Sequence, residues 1–179
     1  MEKRGLIMME KIKALWTKHR EVLMYLIFGA MTTFVGWSVY YAVLLGGRAV
    51  FEIPAGETTS ARYLALYTAA QIIQWVCAVL FAFFTNRAWV FTDADKSASL
   101  WKQLLPFAGG RVVTLGLDFV ITLGLTLGLG ALIPAWTAAE LFGKTINLCE
   151  LGSKLIAAVV VIIANYIISK LFVFKNKKD

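Results

Sequence analysis

Apolar residues in this chain run in four long blocks, without the alternation of polar and apolar positions that marks a soluble helix. The blocks cover residues 22–45, 63–84, 104–133 and 155–174. Each is close to or longer than the roughly 20 residues that cross the hydrocarbon core of a bilayer as a helix. In lipid, every backbone polar group needs an internal partner, which favours helices over such lengths. The pattern predicts an all-α integral membrane protein with four transmembrane helices.

The composition agrees with this class. Hydrophobic residues make up 59% of the 179 positions and charged residues only 16%, and the mean hydropathy is +0.71, far from the values of soluble domains. The first block is too long for the core of a signal peptide, and no small-residue cleavage site follows it. We therefore expect it to be retained as a span.

Lysine and arginine are divided unevenly between the two sides of the predicted membrane. Six lie in the N-terminal segment, three in the loop after the second block and four at the C-terminal end, which makes 13 on one side. The other two loops hold four, namely Arg48, Arg62, Lys144 and Lys154. This bias predicts that both termini are cytoplasmic. The net charge of +7 then reflects topology and attraction to anionic lipid, and no nucleic-acid partner is expected.

Two connecting segments carry a pattern of their own. Residues 1–21 place apolar positions between basic ones, which predicts an amphipathic helix at the cytoplasmic membrane surface. Residues 134–154, PAWTAAELFGKTINLCELGSK, mix apolar and charged positions at roughly helical spacing. That spacing predicts a second amphipathic helix, lying on the outer surface.

The second and fourth blocks end alike. The sequence FFTNRAWVF (83–91) is followed 83 positions later by IISKLFVF (167–174), with Arg87 opposite Lys170. An aromatic residue and a cation at the end of a span suit the headgroup region, but this does not account for Asn86.

The similarity extends weakly upstream. Thr33 matches Thr114 in an alignment that also sets Gly29 on Gly110. We interpret the chain as two parallel two-helix repeats, related by an axis along the membrane normal.

The third block contains two charges. Arg111 and Asp118 are seven residues apart, so they share a helix face and lie about 10 Å apart along the axis. An ionised carboxylate at the bilayer centre costs about 2.5–3.5 kcal/mol on insertion scales, and such groups face a bundle interior or a wet cavity. Small and hydroxyl residues accompany them: Gly109, Gly110, Thr114, Gly116, Thr122, Gly124, Thr126 and Gly128.

Two interpretations of these charges remain open. In the first they are structural, with Arg111 reaching the headgroups and Asp118 bonded to Gln71, Gln74 or a hydroxyl. In the second they form a polar site for a substrate that carries an anion and hydroxyls, since the arginine fork binds two phosphate oxygens at once. The chain shows no histidine and cysteine spacing for a metal, no phosphate-cradling glycine loop and no nucleophile elbow. No metal, no cofactor and no enzymatic activity are expected.

Four segments together resemble the GtrA-like family. They are YLIFGAMTTFVGW, FFTNRAWVF, RVVTLGLDF and NYIISKLFVF, and the resemblance covers residues 25–175 of a predicted transmembrane domain at 22–179. The fourth segment has Ser169-Lys170 where the family usually has asparagine followed by a cation. The transmembrane domain of polyprenyl-phosphate mannose synthases is also similar.

The resemblance implies a role in cell-surface polysaccharide synthesis, including O-antigen and teichoic-acid glycosylation, in the cytoplasmic membrane of a bacterium. The implied task is to flip a sugar linked to a polyprenyl phosphate, such as undecaprenyl phosphate, between leaflets. The implied phosphate contacts are Arg87, Arg111 and Lys170, and the implied sugar contacts are Asn86, Gln71, Gln74, Asn165 and Asp118.

Assembly and alternatives follow from the same reasoning. Four helices enclose a polar path poorly, so we expect a homodimer or larger assembly, together with a membrane glycosyltransferase partner. One alternative is a scaffold that presents the lipid to such an enzyme without moving it. Another is a small proton-coupled exporter that uses Asp118 as its membrane carboxylate.

Overall fold

The computed structural model shows two compact units, Met1–Ala94 (unit 1) and Asp95–Asp179 (unit 2). Each unit is built from two long helices that pack against each other. The residues that the structure describes are 2–54, 57–141 and 144–175, and their side chains are described for 16–54, 57–140 and 146–175.

Unit 1 contains α1, Glu2–Val50, and α2, Ala61–Thr85. Unit 2 contains α3, Leu100–Leu132, and α4, Leu148–Ile168. In the described residues, four helices are long and apolar enough to cross a membrane, which confirms the all-α membrane fold.

The second helix of each unit begins at a side-chain cap. The Ser60 hydroxyl accepts a hydrogen bond from the backbone N–H of Tyr63 at 3.2 Å. Likewise, Asn147 Oδ1 accepts one from the backbone N–H of Glu150 at 3.0 Å. Such caps satisfy an orphan donor of the first helical turn. Because of the Asn147 cap, α4 begins seven residues earlier than the fourth apolar block, whose predicted start is residue 155.

Helix α1 is kinked near its N-terminal end. His19 has φ −115° and ψ 15°, which are outside the helical range. The kink lies two residues before the predicted end of the interfacial segment at residue 21. The side chains of residues 1–15 lie outside the described residues, so the amphipathic character of this segment stays a prediction.

The connection between α3 and α4 differs from the predicted surface helix. It contains a 3₁₀ turn, Pro134–Trp136, and two antiparallel strands, β1, Ala139–Leu141, and β2, Lys144–Ile146. The prediction of one helix over residues 134–154 is therefore wrong. Thr145 and Ile146 are β-branched and favour the strand, and the Asn147 cap assigns only the last part of the segment to α4.

A π-helical turn closes each unit. The first π-turn is Asn86–Val90 and the second is Ser169–Val173. The backbone N–H of Phe91 donates to Asn86 O and that of Phe174 donates to Ser169 O, both at 2.8 Å. These bonds span five residues, as a π-helix requires. Both endings therefore have the same backbone.

Side chains in the two π-turns also match at the predicted spacing of 83 residues. Asn86 and Ser169 are both buried, and so are the closing residues Phe91 and Phe174. An aromatic ring of the first helix of each unit, α1 or α3, meets the closing phenylalanine of that unit. Tyr25 lies 6.4 Å from Phe91, and Phe107 lies 5.9 Å from Phe174, measured between ring centroids.

The glycines that the upstream alignment pairs, Gly29 and Gly110, have different surroundings. Gly110 lies close to Ile168, whereas Gly29 has no atom within reach of a Cβ. The two aromatic pairs instead favour a shift of 82 residues between α1 and α3, which sets Tyr25 on Phe107. Thr32 then matches Thr114, in place of Thr33. The duplication as a whole stays a prediction.

Candidate functional site

A groove of about 720 Å³ lies between α3 and α4 in unit 2. Its walls are largely apolar, with polar groups grouped along one line of α3 and at the start of α4. Asp118, Thr122 and Thr126 are spaced four residues apart, so they share one face of α3. The groove is lined by Val112, Leu115, Gly116, Asp118, Phe119, Thr122, Leu123, Thr126, Glu150 and Lys154.

An ion pair crosses this groove. Lys154 Nζ donates to Asp118 Oδ2 at 2.5 Å, and 58% of the lysine side chain and 22% of the aspartate side chain are exposed. Ionised groups inside a membrane commonly pair with one another because neither is solvated by lipid. Asp118 thus has a charged partner in α4, in place of the glutamines or hydroxyl that the structural interpretation predicts.

Two threonine hydroxyls in the groove lack hydrogen bonds. Within the part of the chain that the structure describes, Thr122 Oγ1 and Thr126 Oγ1 are the buried side-chain oxygens without a partner. Threonines elsewhere in the long helices donate to a backbone carbonyl one turn earlier, as Thr32 of α1 does to Phe28 O at 2.7 Å. A buried hydroxyl without a partner costs about 1–3 kcal/mol, so each of these two is a candidate to bind a ligand.

Arg111 is not among the groove residues. Its guanidinium carbon lies 5.0 Å from the centre of the Phe107 ring, a cation–π geometry. It is half-buried and lies two turns from Asp118, toward the start of α3. The two charges that the sequence placed on one face therefore have separate surroundings.

Asn165 is used inside the helix pair. It is buried, and its Oδ1 accepts a hydrogen bond from Thr114 Oγ1 at 2.9 Å. Interhelical bonds of this kind hold membrane helices together. Thr114 Oγ1 also lies 3.2 Å from Arg111 O of its own helix, and neither Thr114 nor Asn165 lines the groove.

Gln71 and Gln74 lie in unit 1 and form a short amide ladder. Gln74 Nε2 donates to Gln71 Oε1 at 3.2 Å, and Gln71 Nε2 donates to Tyr67 Oη at 2.9 Å. Gln74 Oε1 lies against Gly36, where an added Cβ would come within 2.9 Å of it. The ladder therefore depends on the absence of a side chain at Gly36.

The remaining predicted residues lie in the π-turns. Asn86 begins the first π-turn and is 3% exposed, and Arg87 follows it, half-buried. Lys170 occupies the matching position in the second π-turn, where its Nζ donates to Tyr166 Oη at 3.1 Å. Each π-turn therefore contains one cation.

Sequence reasoning missed Glu150 and Lys154 as groove residues. Both were assigned to the outer connection, because the apolar run begins only after Lys154. Their spacing of four residues, beside the four-residue series that starts at Asp118, is the signal that could have revealed them. In the described residues, no group of three or more histidine, cysteine, aspartate or glutamate side chains could hold a metal ion.

Comparison with known proteins identifies the chain's relatives. The sequence profile of the GtrA/DPMS transmembrane domain matches residues 24–174. The membrane protein YwcD of Bacillus subtilis is 31% identical over 157 residues, which cover 87% of this chain and 98% of YwcD.

Two further relatives carry a functional name, "cell wall teichoic acid glycosylation protein GtcA". The protein from Listeria innocua is 34% identical over 116 residues, covering 63% of this chain and 66% of its own. The protein from Listeria monocytogenes serovar 1/2a is 26% identical over 178 residues, covering 95% of both. No solved structure matches. With four membrane-length helices and the family profile over 151 of its residues, the chain is a multi-pass membrane protein that belongs to the GtrA/DPMS transmembrane domain family.

Proposed function

We propose that the protein binds a polyprenyl-phosphate-linked sugar and carries its head group across the bacterial cytoplasmic membrane, for glycosylation of teichoic acid or another surface polysaccharide. Relatives named for teichoic acid glycosylation support the process. The groove of unit 2 supports the choice of ligand. Its lining combines an apolar wall with one cation, two carboxylates and two hydroxyls that have no hydrogen-bond partner.

The chemistry of the groove fits the three parts of such a lipid. The Lys154 ammonium suits a phosphodiester oxygen, and the hydroxyls of Thr122 and Thr126 suit the hydroxyls of a sugar. The carboxylates of Asp118 and Glu150 can accept further hydrogen bonds from the sugar. The apolar wall lets the first isoprene units stay out of water.

Three cations follow one another along unit 2. Lys170 lies in the π-turn, Arg111 lies one third of the way along α3, and Lys154 lies near the start of α4. With both termini cytoplasmic, this order runs from the inner surface into the membrane. A phosphate could pass from one cation to the next, while Asp118 holds Lys154 in place until a substrate arrives.

The same geometry opposes export of cations. Lys154 already neutralises the Asp118 carboxylate, so a cationic drug would have to displace a tethered competitor. Movement of the lipid would be driven by its own gradient and by consumption of the sugar on the outer side.

The test is transfer of a short-chain polyprenyl-phosphate glucose in proteoliposomes, with exposure of the sugar detected by a lectin that cannot cross the bilayer. The double variant T122V/T126V removes the two hydroxyls that have no partner. We expect it to transfer the lipid about tenfold more slowly or worse, since two hydrogen bonds to the ligand are lost. Its unfolding temperature should be equal or higher, because no internal bond is broken.

T33V is the matched control, because the Thr33 hydroxyl is exposed and bonds to Gly29 O of its own helix at 3.3 Å. It should transfer lipid like the wild type. If T122V/T126V transfers the lipid as fast as the wild type, the groove is not the binding site for the lipid. Lipid binding by the wild type with no transfer above that of empty liposomes would replace transport by a scaffold that presents the lipid.

A further inference from the structure

A second cavity, of about 270 Å³, lies between α1 and α2 in unit 1 and is lined by Trp37, Tyr40, Tyr41, Gln71 and Gln74. These residues form the aromatic–amide pocket. We propose that this pocket binds the ring of one neutral pyranose sugar, stacked on Trp37 and hydrogen-bonded to the two amides. The choice of a sugar rests on the proposed function, and the site itself is separate from the groove of unit 2.

The two amides leave donors for a ligand. Each glutamine side chain has two N–H donors and a carbonyl acceptor. Gln71 and Gln74 each use one N–H within the ladder, so each has a second one left. Polar side chains inside a membrane span are costly and point to a functional site. Such a donor pair suits the hydroxyls of a sugar better than a lipid tail.

The aromatic side of the pocket offers a ring face. Trp37 is 65% exposed and stacks on no other ring among the described side chains. Tyr40 is held by two edge-on contacts, with centroid distances of 5.2 Å to Tyr41 and 6.2 Å to Tyr67. Because Tyr67 Oη accepts from Gln71, the amide ladder also positions the aromatic rings. A rigid ring beside fixed donors is a common form of small-molecule site.

The size of the pocket limits the ligand. A volume of about 270 Å³ is near the lower end of the roughly 300–1,000 Å³ seen for small-molecule sites. The pocket therefore suits one monosaccharide ring. With no charged residue among its lining side chains, it favours a neutral sugar over a uronic acid or an amino sugar with a free ammonium.

Position within the helix pair gives an independent argument. With the shifts of 82 and 83 residues that the π-turns and aromatic pairs favour, Tyr40 matches Thr122 and Gln71 matches Lys154. Both matches join a residue of the aromatic–amide pocket to a residue of the groove. An aromatic belt of purely interfacial function would not need a cavity at this position.

The experiment is saturation-transfer NMR with methyl β-D-glucopyranoside, on the full chain in nanodiscs of phosphatidylcholine and phosphatidylglycerol. Sorbitol carries hydroxyls without a ring and serves as the comparison ligand. We expect transfer to the C–H protons of one face of the glucoside and none to sorbitol. W37L should weaken binding about tenfold, given the size of aromatic contacts.

Two matched controls separate binding from folding. W101L removes a tryptophan of similar exposure, 68%, in unit 2, and should bind the glucoside normally. G36A places a methyl against Gln74 Oε1 and turns the amide away, while G46A adds the same methyl in open space. Since glycine to alanine is favourable within a helix, G36A should fold and yet lose binding. It therefore keeps the test decisive if W37L is unstable.

The outcomes distinguish this inference from the proposed function. No glucoside binding, equal signals from sorbitol, or equal loss in G36A and G46A would overturn the aromatic–amide pocket, even if lipid transfer is intact. Glucoside binding that survives in T122V/T126V, with no lipid transfer by the wild type, would support the pocket and reject transport.

Discussion

In unit 1, the buried residues of α1 extend from Tyr25 near the first π-turn to Leu44 at the loop end, whereas every buried residue of α3, the corresponding helix of unit 2, lies between Gln103 and Thr114. The far half of α3 is thus less tightly covered, and the groove lies there. Two helix pairs with the same ending therefore differ at the opposite end. Relaxed packing at that end leaves room for polar groups that a tight apolar contact would exclude.

The same positions carry different chemistry in the two pairs. Unit 2 places an ion pair in its groove, and unit 1 places neutral amides and rings in its pocket. A charged site can hold a phosphate, and a neutral aromatic site can hold a sugar ring. The comparison predicts that unit 2 binds the phosphate and unit 1 binds the sugar ring of the same kind of ligand. Variants in each unit can test this difference.

The largest effect should come from the ion pair. K154M leaves the Asp118 carboxylate without its cation in the membrane, and we expect a loss of about 2.5–3.5 kcal/mol in the free energy of unfolding. The double variant K154M/D118N should recover most of this loss, because neither position of the pair then carries a charge. Unfolding in mixed micelles measures it, and equal stability of the single and double variants would show that the pair is not coupled.

The next effect concerns close helix contact in unit 2. A Cβ at Gly110 would lie 2.7 Å from Ile168 Cγ2, while the neighbouring Gly109 has nothing within 4 Å. G110A should therefore lower stability by about 1–3 kcal/mol through overpacking, and G109A should not. In unit 1, a Cβ at Gly47 would overlap the side chain of the buried Leu66, whereas one at Gly46 meets nothing, so G47A should likewise be less stable than G46A. Thermal unfolding would contradict this if G109A and G110A behave alike.

A smaller effect is expected for the hydrogen bond between Thr114 and Asn165. Unit 1 has alanine at the position that matches Asn165, Ala82, so this bond is specific to unit 2. A double-mutant cycle with T114V and N165L should give a coupling of about 0.6 kcal/mol, and at most about 1.7, as for other bonds between membrane helices. A coupling near zero would assign the burial of both residues to packing alone.

The smallest effect is expected from exchanging the first residue of the two π-turns. The variant N86S places in unit 1 the residue type that unit 2 has at Ser169. Because both positions adopt the same backbone, we expect a loss of about 0.5 kcal/mol or less, smaller than that of N86L, which places a larger, branched side chain at a buried position. A loss above that of N86L would argue against equivalent turns.

The helices could be predicted from sequence because lipid leaves a chain few alternatives to them. The hairpin could not, since its strands are three residues long and carry too little pattern to outweigh a helical spacing. Arg111 and Asp118 were found because charges stand out in an apolar run. Lys154, the partner of Asp118, was missed because it precedes the fourth apolar block. In addition, the packing of α3 against α4 determines which side chain crosses the groove, and the sequence pattern does not show that packing.

The π-turns also limit how many residues each unit can have at its ending. An α-helix advances about 100° per residue, so adding one residue within Asn86–Val90 would turn the ring of Phe91 away from Tyr25. Removing one residue would be absorbed, because the π-turn would become a regular helical turn. The same holds for Phe174 and Phe107 in unit 2. Substitutions and one-residue deletions in these turns should therefore keep the aromatic contact of each unit, whereas a one-residue insertion should break it.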